Sequence, residues 1–169
     1  MTAPASTPPG TAENPDIGIA AENLGRITAI LSQVLADQHV LYQKTRNYHW
    51  NLTGRRFLPL HELFEKQYRM LVEAIDETAE RIRVLGGVAP GSMKEFLSLA
   101  SLQEDDGHLI PGEEALEALA GDHTAAVRML RKAIDETAEE NDDAGTADFL
   151  TGLLRDHEKT AWMLRSHLL

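Results

Sequence analysis

The chain has 169 residues, 43% of them hydrophobic, which is length and apolar content for one domain with a sizeable core. Twenty-seven acidic against 16 basic residues leave a formal charge of −11 at pH 7, which argues against generic polyanion binding and suits a collector of cations. No cysteine is present, which excludes disulfides, thiolate metal sites and a thiol nucleophile.

Residues 1–18 hold four prolines and no Lys or Arg, and read as a disordered tail ahead of a domain over 19–169. The opening MTAPASTPPG has neither a basic n-region nor an apolar h-region, so it carries no readable secretory signal. No apolar run approaches the roughly 18–20 residues of a membrane span, and a cytoplasmic protein is expected. From about residue 19 the pattern is helical: Ile27, Ile30, Leu31, Val34, Leu35 and Leu41 follow the i, i+3, i+4, i+7 rule. This helix is expected to run to about Leu52 and stop near Gly54. A second starts near Leu58 or Pro59 and runs through Leu63, Phe64, Met70, Leu71, Ile75 and Ile82 to Gly86-Gly87. A long connection with one short helix near 92–100 follows. A third helix spans about 112–140, and EENDDAG ends it. A fourth spans about 146–167 on Phe149, Leu150, Leu153, Leu154, Ala161, Trp162 and Leu164. No strand signal competes. Four helices with short first and third links and a long central one describe an all-α, ferritin-like bundle with a crossover connection.

The second helix carries the chemistry. On it lie His61, Glu65, Asp76 and Glu80, with His49 just upstream. Imidazole and carboxylate together suit iron, manganese or zinc. At 100° per residue, Glu65, Asp76 and Glu80 lie about 40°, 60° and 100° from His61, so all four share one side of the helix. Along the axis, however, the His61/Glu65 end is ~16 Å from the Asp76/Glu80 end, too far for one ion. If two copies of the helix cross antiparallel near residues 70–71, each His61/Glu65 end meets its partner's Asp76/Glu80 end. One two-fold interface then makes two identical sites. His49 joins if the 49–58 turn folds it back. The Glu-x-x-His motif of intrachain di-iron bundles is absent, since no His has Glu three residues before it.

The stretch NYHWNLTGRRFLPLHELFEKQYRMLVEAIDETAERIRVLGG (47–87) resembles the signature of the Dps family of mini-ferritins, and the helical layout extends the resemblance over about 20–167. The resemblance implies a shell of twelve subunits. It implies ferrous iron oxidised, with hydrogen peroxide as the usual oxidant, at sites between two-fold-related subunits, and ferric mineral stored inside. The family's ferroxidase ligands fall on His49, His61, Glu65, Asp76 and Glu80. Glu65 is often Asp in relatives. Trp50, beside His49, is a candidate sacrificial electron donor. The acidic corner EENDDAGTAD corresponds to the family's three-fold iron-entry pores, with Asp142, Asp143 and Asp148 as candidate lining; helix capping is the competing reading. DNA binding is not expected, because residues 1–25 contain no basic residue and the charge is strongly negative. The alternatives are a non-catalytic shell holding Zn²⁺ or other divalent ions at the same positions, and a DNA-compacting structural protein, which the charge disfavours.

The other polar residues carry plainer expectations. His39 reads as structural and His108 as part of a polar loop. His123, His157 and His167 read as surface or capping residues, and Trp162 as packing. The heptapeptide AIDETAE occurs twice, at 74–80 and 133–139. In the second copy the positions matching His61 and Glu65 are Ala120 and Thr124, so Asp135 and Glu139 read as a solvated or subunit-contact face.

Overall fold

A computed structural model describes residues 15–169; most of the proline-rich tail expected over 1–18 lies outside the described residues. Five α-helices follow in order: α1 (Ala21–Asn51), α2 (Phe57–Val84), the short α3 (Met93–Leu99), α4 (Gly112–Asp135) and α5 (Ala144–Ser166). The four long helices form the expected bundle, in which α1 packs mainly on α2 and α4 on α5. Leu24, Ile27, Leu31 and Leu35 of α1 are buried, the recurrence that one helix face requires. They form one core cluster with Ile82, Leu130, Leu150 and Leu153. A second cluster at the other end is built on Leu41, Leu60, Phe64, Leu116, Leu119 and Leu164.

The crossover is anchored by polar contacts. Ser92 and Glu95 close a capping box at the start of α3. Asp37, 3% exposed, accepts hydrogen bonds from the backbone N–H groups of Ser101 and Leu102 and from the Ser101 hydroxyl. Asn47 donates to the carbonyls of Asp105 and Asp106, and the Tyr48 hydroxyl donates to the Asp105 carboxylate. α1 therefore holds the returning chain along much of its length.

Two features depart from the sequence expectation. First, Leu52–Thr53 (β1) and Ile110–Pro111 (β2) form a two-residue parallel bridge, with Leu52 opposite Ile110. A strand this short has no room for alternation, the signal that marks strands in sequence. Second, the third helix is not α-helical to residue 140. After Asp135 it widens into a π turn, Glu136–Glu140. The two AIDETAE copies thus adopt different backbones. In the first, regular α-helix lets the buried Thr78 hydroxyl donate to the Ala74 carbonyl. In the second, Asp143 N–H donates to the Thr137 carbonyl and the Asn141 carboxamide to the Glu136 carbonyl, which closes the wide turn. The equally buried Thr137 hydroxyl is left without a partner.

Candidate metal centre at the start of the second helix

The α1–α2 turn decides whether His49 and His61 meet. Gly54 adopts φ +106°, a conformation that suits glycine, and Phe57 N–H donates to its carbonyl. The β1–β2 bridge holds the same turn against the start of α4. There Gly112 lets α4 approach closely: a Cβ at this position would lie 2.7 Å from Leu60 Cδ1.

The two histidines come together face to face. Their rings stack at 3.7 Å between centroids and 17° between planes. His49 Nδ1 lies 2.8 Å from the His61 carbonyl, and His61 Nδ1 lies 2.9 Å from the His49 carbonyl. A carbonyl oxygen only accepts, so each Nδ1 carries the proton and donates. In the neutral tautomer that these bonds select, Nε2 is the nitrogen left with a lone pair. Orientation of this kind, with one ring nitrogen tied to backbone, readies an imidazole for a metal ion. Tyr68 packs edge-on against His49 at 5.3 Å, and Phe57 stacks on His61 at 5.1 Å.

Glu65 lies one turn after His61. Its carboxylate is ion-paired with Arg69, and that guanidinium is the main reason its carboxyl is held below the usual carboxylate range; the two nearby imidazoles act in the same direction. Asp76 and Glu80, more than two turns further along α2, are exposed and carry no hydrogen bond or ion pair among the described residues. The structure thus joins His49, His61 and Glu65 at one end of α2 and leaves Asp76 and Glu80 at the other. Among the described residues no group of three or more His, Asp or Glu side chains is clustered to hold an ion within one chain. Arg69, Tyr68 and Phe57 were not singled out by spacing. Arg69 was within reach of it, since Glu and Arg four apart on a helix pair readily.

Trp50 is 54% exposed, and the Arg46 guanidinium lies over its ring at 4.6 Å. The three acidic-corner residues differ. Asp142 and Asp148 are exposed, and Asp142 adopts φ +55°. Asp143 is buried: it caps α5 through Thr146 N–H, accepts from the Thr146 hydroxyl and pairs with Arg81. For Asp143 the capping reading holds in the subunit.

Among the other histidines, His39 stacks on Phe96 at 3.8 Å and His108 is an exposed loop residue, both as expected. His167 is the exposed C-cap of α5. His123 and His157 are not at the surface: they are 3% and 7% exposed and face each other across α4 and α5, with Nδ1 atoms 2.9 Å apart. Their neighbours along the chain are polar or small, and only the bundle geometry turns them inward. Trp162, 60% exposed, does not pack in the subunit core. Asp135 and Glu139 are exposed, as the second heptapeptide copy suggested.

A ferritin-like domain family matches residues 28–169. A low temperature-induced protein of Nostoc is 44% identical over 153 residues, covering 90% of this chain and 86% of its own length. DNA protection during starvation protein 2 of Bacillus anthracis is 38% identical, covering 85% of this chain and 97% of its own. Among solved structures, a Dps protein from Bacillus brevis superimposes with a TM-score of 0.84 at 33% identity, over 89% of this chain and all of the other. A Vibrio cholerae Dps, described as a member of a broad superfamily of ferritin-like diiron-carboxylate proteins, gives 0.86 at 32% identity, over 92% and 97%. Fold, coverage and identity agree: the chain belongs to the Dps family of ferritin-like proteins.

Proposed function

We propose that this protein oxidises ferrous iron at sites shared between two subunits and stores the ferric product inside a shell of twelve. The observation that carries this reading is the reciprocal His49–His61 pair. Both Nδ1–H groups are spent on backbone carbonyls, which leaves both Nε2 atoms available to a metal ion at the end of α2 that carries Glu65. An antiparallel partner helix brings its Asp76 and Glu80 to that end, and one interface yields two such sites. Iron is the substrate. Imidazoles bind it in the ferrous state, and the carboxylates favour the ferric product. Two ferrous ions give one electron each to one hydrogen peroxide. With two protons, the O–O bond is cleaved to two waters and no hydroxyl radical is released. Arg69 engages only Oε1 of Glu65, so the ion pair competes for that oxygen and leaves Oε2 to ligate.

Ferrous oxidation followed by near-ultraviolet absorbance, anaerobically with peroxide and separately with oxygen, tests the reading. A fast saturable phase is expected. Zinc binding at the same positions with no catalysed oxidation would favour a non-catalytic divalent-ion shell, whose ligand set is the same.

Trp50, next to His49 in the chain and exposed, is the proposed donor of an electron to an oxidant that escapes the two-iron reaction. Trp50→Phe is expected to leave ferrous binding unchanged and to raise spin-trapped radical; an unchanged radical yield would remove this role. Of the three candidate aspartates of the acidic corner, Asp142 and Asp148 are the exposed ones and the proposed lining of an iron-entry pore, where three-fold symmetry triples each charge. Replacing both by Asn should slow oxidation at low, limiting iron and leave it unchanged at saturation. Equal rates at low iron would return these residues to a role in solubility alone.

The DNA-related names of several relatives describe those proteins. With −11 per chain and no basic residue in the first 25, this one lacks the cationic contacts that release counterions from phosphate. No gel retardation of duplex DNA is expected at ~0.1 M salt without divalent ions. A tight complex there would contradict the charge argument.

A further inference from the structure

The middle of the bundle holds a second polar group, with one side chain from each long helix: Gln38 of α1, Gln67 of α2, His123 of α4 and His157 of α5. All four are buried, and the ferroxidase chemistry uses none of them. Their hydrogen bonding is incomplete. His123 and His157 meet through Nδ1, but His123 Nε2 and both polar atoms of Gln38 and of Gln67 have no partner. Buried polar atoms are normally paired, and this number around one pair of imidazoles calls for an occupant. Space is available on both sides. Gln67, His123 and His157 line a pocket between α2 and α5 whose exposed rim carries Met70 and Asp156. Gln38 and His157 line a smaller one toward α1.

We propose that His123 and His157 form an intrachain site for one borderline divalent cation, of the zinc, cobalt or copper kind, bound between their facing Nδ1 atoms. Imidazole nitrogens hold such ions at about 2.0–2.1 Å, so a gap of 2.9 Å corresponds to an angle of about 90° at a shared ion. Opening the gap by about 0.4 Å gives the tetrahedral angle. In the empty pair one Nδ1 carries a proton and donates it to the other. On binding, that proton passes to Nε2 of the same ring, so no net proton is released. Both rings then present Nε2–H donors, and the unpaired Gln67 and Gln38 carbonyl oxygens line the same pockets. Water entering past Asp156 completes the coordination. Burial keeps both imidazoles neutral at pH 7, the form that binds metal. The four side chains include no carboxylate, so the donor set is neutral and gives ferric iron little support. This site therefore differs in preference from the intersubunit one, and its effect is to clamp α4 to α5.

The probe is Co²⁺ alone, added to metal-free assembled protein and followed by equilibrium dialysis and visible absorption. A His49→Ala/His61→Ala/Asp76→Ala/Glu80→Ala protein, which lacks the imidazoles and distal carboxylates of the intersubunit site, is expected to retain one Co²⁺ per subunit with a nitrogen-ligated spectrum. His157→Gln and His123→Gln in that background are each expected to lose it, with ferrous oxidation unchanged when placed in the wild-type background. Retention of the same ion by both His variants would overturn the proposal. If either variant fails to assemble, anomalous diffraction from a Co²⁺-soaked crystal of the unaltered protein decides. A peak between the two Nδ1 atoms supports the site, and a water-filled or empty gap overturns it.

Discussion

Subunits carrying His61→Ala, and subunits carrying Asp76→Ala with Glu80→Ala, are each expected to lose the fast phase of ferrous oxidation. Co-assembled one to one, they are expected to recover about a quarter of the wild-type rate. The argument is geometric. His49, His61 and Glu65 lie at one end of α2, and Asp76 and Glu80 at the other. A site completed across a two-fold axis takes its histidines from one chain and its distal carboxylates from the other. In a mixed pair, one site therefore carries both defects and its twin carries neither. With random pairing, a given site draws intact histidines from half the subunits and intact carboxylates from half, which leaves one site in four complete. Each homogeneous variant should fall by on the order of a hundredfold, since loss even of groups that only orient metal ligands costs 10–100-fold. Stopped-flow absorbance after mixing with ferrous iron and peroxide reads the rate, and mass spectrometry of the assembled shell verifies the mixing. Verified mixed shells with no recovery would exclude a site divided between chains in this way.

Acid is expected to destabilise the metal-free protein through the core histidines. Burial is the main cause that pushes His157 down to about 4, and Asp156 opposes it weakly; burial, reinforced by His157, also pushes His123 well below the usual imidazole value. The folded state therefore holds these imidazoles neutral, while the unfolded chain protonates them near pH 6.5. Between those values the unfolded state binds more protons, so stability falls as pH falls. The loss begins near pH 6.5 and accumulates toward pH 4 at ~1.4 kcal/mol per pH unit per proton, about 3 kcal/mol from His157 alone. Thermal unfolding from pH 7.5 to 4 should show it, as a difference between wild type and a His123→Gln/His157→Gln protein that cancels the carboxylates both share. Parallel pH profiles for the two proteins would mean that the pair is hydrated and titrates normally.

Much of the site was legible as spacing. Heptad-like recurrence marked all four helices. Gly54, Pro59 and Gly86-Gly87 marked the ends of the first two, and angular positions put His61, Glu65, Asp76 and Glu80 on one side of α2. These are local properties of a chain whose helical period is constant, so residue numbers alone determine them. The 16 Å mismatch along one helix, and with it the need for a second copy, follows from the same constants.

What residue numbers do not contain is where the backbone departs from that period and what faces what across helices. The reciprocal His49–His61 bonds need the turn held by Gly54 and the β1–β2 bridge, and the bridge joins residues nearly sixty apart. The π turn separates two identical heptapeptides because the residues just after the second copy, Asn141 and Asp143, bond back to Glu136 and Thr137, so the flanking chain and not the heptapeptide sets the backbone. Asp143 became a buried cap paired with Arg81 of α2, and His123 and His157 became a buried pair, through contacts between helices. Burial of a polar side chain depends on which partners the opposing helices bring, and only the assembled bundle decides that. The sequence by itself determined the helices, their order and the chemistry carried on α2. The tertiary structure decided which lone pairs are left for a metal ion, because only there does each ring nitrogen find or lack its partner.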